Sequence, residues 1–90
     1  MSPLSPLSND TGVRAVVELL AKTLADQPDD VRVTESQHRH KTLIELFVSP
    51  TDIGKVIGKQ GRTAAALRTL ASTAGEREGK QVTLEIREGR

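Results

Sequence analysis

The chain has no cysteine, tryptophan or tyrosine, and its single aromatic residue is Phe47. Without cysteine there are no disulfide staples, thiolate zinc sites, iron–sulfur ligands or cysteine nucleophiles. Without rows of aromatics, an RNA-binding platform built on stacked bases is excluded. No apolar run approaches the roughly 18 residues that cross a bilayer as a helix. Charge of one sign is missing as well. Thirteen Lys/Arg oppose twelve Asp/Glu for a formal +1, so the whole chain offers no electrostatic argument for a nucleic acid. What remains, in 90 residues of which 36% are hydrophobic and 28% charged, is the composition of one small globular domain.

The first twelve residues lack the basic and apolar regions of a targeting signal and carry Pro3 and Pro6. Rich in Ser, Pro, Asn and Asp, residues 1–12 cannot bury enough apolar surface to offset ordering, and a disordered tail is expected. Asn9, Asp10 and Thr11 fit the N-glycosylation spacing, which reads as a chance match in a polar tail. A cytoplasmic location is the simplest expectation. The domain proper is expected over residues 13–88, small but large enough to hold a core.

Periodicity divides this domain. Val13, Val16, Val17, Leu20 and Leu24 recur at helical spacing, with Asp10 or Thr11 as cap and Gln27, Pro28, Asp29 and Asp30 as the stop. Residues 31–36 alternate as a short strand, residues 37–40 are turn-like, and residues 41–49 are apolar on both faces, as suits a central strand. Pro50 closes that strand. A short helix over 52–57 follows, then an interruption at Gly58, Lys59, Gln60 and Gly61, then a helix over 62–73. In that helix Ala64, Leu67, Leu70, Ala71 and Ala74 share a side, and Gly75 is the expected stop. A charged loop over 76–80 leads to strict alternation over 81–87, with Val82, Leu84 and Ile86 facing one way. The class is α+β, in the order α-β-β-α-α-β. One three-stranded sheet packs against helices, and its last strand is reached by a helical crossover that permits parallel pairing.

One segment carries chemistry. Gly58 and Gly61 stand three apart between two helical stretches, where the backbone can turn sharply and approach a ligand. The second helix opens at Arg62, aiming first-turn N–H groups and positive dipole character at the loop. Residues 53–75 hold Lys55, Lys59, Arg62 and Arg68 and no acid. That segment therefore carries +4 and the rest of the chain −3, against the whole-chain +1. Near-neutrality conceals a polarised molecule whose loop suits a phosphate. Two nucleotide loops fail on spacing. A Walker A loop needs four residues between its glycines, whereas Gly54 and Gly58 have three between them. The dinucleotide fingerprint needs a glycine where Val56 stands.

The run Val56, Ile57, Gly58, Lys59, Gln60, Gly61, Arg62 resembles the V-I-G-K-x-G signature of KH domains. The element order resembles their type II, bacterial arrangement. The chain as a whole is similar to the KhpA family of small bacterial RNA-binding proteins, over about residues 13–87. That resemblance implies a non-catalytic single-stranded RNA-binding protein, a post-transcriptional regulator or RNA chaperone that needs no cofactor. Gly58 and Gly61 would shape a clamp, and Lys59 and Gln60 would contact the sugar-phosphate backbone. Arg62 would stand at the helix start, and Val56 and Ile57 would help form an aliphatic groove for bases. Lys55 and Arg68 add charge beside it. The resemblance also implies a homodimer, or a heterodimer with a larger KH protein of the Jag type, with the surface around Gly54 as the candidate contact.

Other readings compete. A protein-interaction or dimerisation subunit with weak intrinsic RNA affinity is the principal alternative. His38 and His40 could set two imidazoles on one face of an extended segment, with Glu35 or Glu45 as conceivable further metal ligands. A solvated hairpin tip is the favoured reading. No nucleophile–base–carboxylate set is recognisable, and no enzyme is expected.

Overall fold

In a computed structural model, which describes residues 12–89, the chain runs α1 (Val13–Leu24), β1 (Arg32–His38), β2 (Lys41–Val48), α2 (Ile53–Ile57), α3 (Arg62–Arg77) and β3 (Gln81–Glu88). The expected tail, and the expected caps Asp10 and Thr11, lie outside the described residues except for Gly12. Gly12 itself is the N-cap of α1, and no side chain bonds there.

α1 buries Val13, Val17 and Ala21, one residue per turn, against the sheet. Leu24, at the helix end, is exposed. Pro28 cannot continue a helix, and the chain leaves through a single 3-10 turn, Pro28–Asp30. β1 and β2 then form an antiparallel hairpin whose register runs from Arg32 opposite Phe47 to His38 opposite Lys41. This hairpin is tighter than its polar sequence suggests. The expected turn at residues 37–40 contracts to Arg39 and His40, because Gln37 pairs with Thr42 and His38 with Lys41. Cross-strand pairing outweighs local polarity there. Of the two turn residues only Arg39 has positive φ, 60°, the pattern of a II′ turn.

β3 lies parallel to β2, from Gln81 beside Lys41 to Glu88 beside Val48, in the strand order β1-β2-β3. β2 is therefore central, as its two-faced apolarity implies. Its inward residues Thr42, Ile44, Leu46 and Val48 are buried, while Leu43, Glu45 and Phe47 on the other face are half-exposed. The core closes with Val56 of α2, Leu67 and Ala71 of α3, and Leu84 of β3. Val56, Leu67 and Leu84 each contribute about 1.5–3 kcal/mol on burial, and the Ala71 methyl about 1 kcal/mol or less.

Two expectations about α3 are corrected. The helix does not stop at Gly75 but continues to Arg77. Gly75 is buried inside it, where a Cβ would stand 3.0 Å from Val82 Cβ and 3.2 Å from the Lys80 carbonyl oxygen. That glycine lets helix and strand approach; the turn itself falls to Gly79, at φ 71°. Leu70, expected on the buried side, is 48% exposed. The fully buried stripe of Ala64, Leu67, Ala71 and Gly75 is narrower than the apolar stripe of the sequence, with Ala74 partly packed at its margin and Leu70 beyond the reach of the neighbouring elements.

Candidate functional site

α2 is five residues long, too short to be stable by its own hydrogen bonds. Three fastenings hold it. Val56 has no exposed surface and sits in the core. Asp52, the residue before the helix, is 1% exposed, and its carboxylate accepts the backbone N–H groups of Asp26 at 3.1 Å and Gln27 at 2.9 Å. Its carbonyl accepts the N–H groups of Lys55 and Val56, which starts the helix. On the surface, the Lys55 ammonium meets the Asp26 carboxylate at 3.1 Å. Asp52 and Lys55 thus brace α2 against the segment that follows α1.

The chain then makes a left-handed passage into α3. Gly58 has φ 79° and ψ 170°, Gln60 57° and 25°, Gly61 74° and 13°. The Gly58 conformation is open essentially to glycine alone, and space demands glycine too. A Cβ there would lie 2.6 Å from Thr63 Cβ and 2.9 Å from Thr63 N. Gly61 has nothing within 4 Å of a would-be Cβ, so its requirement is conformational. The loop is pinned by Gly61 N–H donating to the Gly58 carbonyl at 3.0 Å and by Arg62 N–H donating to that of Lys59. No side chain caps α3, and its first turn holds no acid.

Around this turn Lys59, Gln60 and Arg62 are exposed. Among the described residues no carboxylate forms an ion pair with Lys59 or Arg62. Arg68, further along α3, leans toward β3 and donates from Nε to the Leu84 carbonyl at 3.4 Å. Ile57 is half-buried. The expected role of Val56 as a groove wall is corrected, since with no accessible surface it supports the loop from below. Lys55 belongs to the brace as much as to the loop. Gly54 is exposed, with nothing within 4 Å of a would-be Cβ, so it serves no close approach within the chain.

Sequence reasoning missed Asp52 and Thr63. An aspartate before a helix signals a cap, yet here the carboxylate bonds backbone some 25 residues away, which no local pattern reveals. The His38 ring lies 3.2 Å from the Ser36 hydroxyl, and among the described residues no three His, Cys, Asp or Glu side chains gather as a metal site.

A βααβ core with a glycine-pinned turn between its helices, preceded by α1 and β1, defines a KH domain of type II topology. The family model for the KhpA/KhpB KH domain matches residues 14–86. The chain belongs to that family. It is 51% identical over 78 residues to "RNA-binding protein KhpA" of Aquifex aeolicus, covering 87% of this chain and 99% of that protein. With the protein of the same name from Clostridium perfringens the identity is 49% over 74 residues, covering 82% and 99%. The fold is also similar to part of Era in its complex with MgGDPNP and nucleotides 1506-1542 of 16S ribosomal RNA. There the TM-score is 0.58 at 21% identity, over 96% of this chain and 31% of Era. Against Aquifex aeolicus Era bound to GDP.AlF4- the TM-score is 0.57 at 19% identity, over 86% and 30%. This chain spans about a third of Era, and that likeness concerns the fold alone.

Proposed function

We propose that the chain is a non-catalytic module that binds single-stranded RNA by its sugar-phosphate backbone, through Gly58, Lys59, Gln60 and Gly61. The observation that carries this reading is the uncapped left-handed entry to α3, with Lys59 and Arg62 exposed beside it and, among the described residues, no carboxylate paired to either. Cations at a helix N-terminus oppose the helix dipole, and a phosphate there relieves both. The relatives are named RNA-binding proteins, which supports RNA as the source of that phosphate. Ile57 and the exposed backbone at Gly54 would border the bases. A backbone clamp of about four nucleotides reads little sequence, which fits a regulator or chaperone acting on many RNAs in the cytoplasm.

The test is the pair Lys59→Asp and Gln60→Asp in one chain, which sets negative charge against phosphate at exposed positions. Affinity for single-stranded RNA falls by at least about tenfold, by the worth of charge-assisted contacts, with an unchanged circular dichroism spectrum. Parent-like affinity in that folded variant would reject the site.

A second reading is carried by Leu19 and Leu70, 66% and 48% exposed on α1 and α3. Such side chains suit partnering with a second copy or with a Jag-type KH protein, the RNA contact then being shared. Light scattering alone and with that partner separates the two, since a strict monomer of full RNA affinity contradicts this second reading.

A further inference from the structure

The basic residues divide according to whether a carboxylate holds them. Arg14 and Lys22 share Glu18, Lys55 meets Asp26, Lys80 lies between Glu35 and Glu78, and Arg87 bridges Glu45 and Glu85. Arg14 and Lys22 share one carboxylate and keep one net positive charge between them, while each of the other three has at least one carboxylate beside it that lowers the local positive potential. Among the described residues, Lys59, Arg62, Arg68, Arg39 and Lys41 have no such partner. Nor do Arg77, at the end of α3, or Arg32, whose guanidinium sits 5.9 Å from the Phe47 ring centre.

Apart from Arg32 and Arg77, these cations fall along α3 and at the hairpin tip. Lys59 and Arg62 mark the start of α3, and Arg68 lies part-way along it against the Leu84 carbonyl of the edge strand β3. Arg39 and Lys41 occupy the β1–β2 hairpin tip. Lys41 is the register partner of Gln81, the first residue of β3 after α3 has ended, so clamp and tip lie at opposite ends of that helix. Sixteen residues of helix separate them by about 24 Å.

The tip has a second peculiarity. His38, Arg39, His40 and Lys41 are all exposed, and the first turn position, where two-residue hairpins favour glycine, asparagine or aspartate, holds Arg39 at φ 60°. A residue other than glycine at this positive φ costs about 1 kcal/mol. Such an outlier points to a use for the side chain, not to the needs of the turn.

We propose that the hairpin tip, through Arg39 and Lys41, is a second phosphate contact for the RNA strand held by the Gly58–Gly61 loop. This rests on the clamp reading above. A strand leaving the clamp follows α3 beside the edge of β3, passes Arg68, crosses at Gln81 and meets Lys41 and Arg39. Lys80, held by Glu35 and Glu78, is not part of this track. An RNA of about four nucleotides fills the clamp alone, whereas one about three times longer reaches the tip.

Length dependence is the test. Oligouridylates of about four and about twelve nucleotides are titrated into the parent, an Arg39→Gly/Lys41→Gln variant and the Lys59→Asp/Gln60→Asp variant, with NMR shifts reading the weak short complex. Glycine is at ease at φ 60°, so the tip variant keeps its fold. With the long RNA, the tip variant binds about three- to tenfold more weakly, and its salt slope falls by about 1.4, two single-strand phosphate contacts. With the short RNA it equals the parent, whereas the Lys59→Asp/Gln60→Asp variant loses both lengths. Parent affinity and slope for the long RNA, or equal weakening at both lengths, overturns the proposal. If the Lys59→Asp/Gln60→Asp variant keeps both lengths, it is the clamp reading that has failed.

Discussion

α3 is entered through Gly61 at φ 74° and left through Gly79 at φ 71°, and neither glycine has anything within 4 Å of a would-be Cβ. At the C-terminal end the fold completes its own hydrogen bonds. Lys80 N–H donates to the Gly75 carbonyl at 2.8 Å and Gly79 N–H to that of Glu76 at 3.0 Å, the paired bonds of a Schellman motif. Arg77 stands where a cation favours the dipole. At the N-terminal end no side chain caps the helix, no acid sits in the first turn, and Lys59 and Arg62 set positive charge against the positive pole. One end is finished from within the chain. The other is left without a partner from within the described chain, and on the proposed reading an RNA phosphate completes it, so that the same left-handed geometry would serve structure at one end and a site at the other.

The largest expected effect tests whether the N-terminal geometry is needed at all. Gly58→Ala drives a Cβ into Thr63 and forces a conformation that L-residues avoid, a loss of about 3 kcal/mol. Differential scanning calorimetry should show Tm lower by about 15 °C. A fall of only a degree or two would mean that the loop relaxes without its glycine. Next in size is Asp52→Ala. It strands the N–H groups of Asp26 and Gln27 and loosens α2, costing about 2–3 kcal/mol. Amide exchange at residues 53–62 should accelerate more than in β2; uniform acceleration across the sheet would make Asp52 an ordinary core residue.

The contrast between the two ends also shows what sequence could convey. The loop was legible because Gly58 and Gly61 are punctuation whose meaning is local, and α1 because Val13 and Val17 keep one period over their helix. The central place of β2 followed from its two-faced apolarity. Gly75 misled because a glycine near a helix end has two meanings, a stop or a close approach, and only the position of Val82 decides. Leu70 misled because periodicity shows which side of a helix is apolar but not how wide a neighbour covers it. Val56 looked like part of the site because motif residues contiguous in sequence alternate in space between ligand side and core. Asp52 was illegible as a brace because its partners, Asp26 and Gln27, precede it by a whole hairpin.

The matched pair Gly61→Ala and Gly79→Ala sharpens the comparison at a smaller scale. Each places alanine at positive φ in open space, at about 1 kcal/mol, so urea midpoints should fall together. Only Gly61→Ala should weaken RNA binding, by several-fold in a fluorescence-anisotropy titration. Equal loss of affinity in both would mean that α3 responds as one rigid body, and the functional distinction between its ends would fall.

The smallest expected effect has the opposite sign. Gly54 lies in α2 with an exposed backbone and open space where a Cβ would go, so nothing within the chain requires glycine. Gly54→Ala removes the entropic cost of glycine in a helix and should stabilise the domain by about 0.5–1 kcal/mol. If the residue is there to let a strand of RNA lie close over α2, the same change should lower affinity while raising Tm, separating stability from binding in a single methyl group. A gain in Tm with parent RNA affinity would remove Gly54 from the RNA-contacting surface. A loss of stability would show that α2 is held less openly than its geometry indicates.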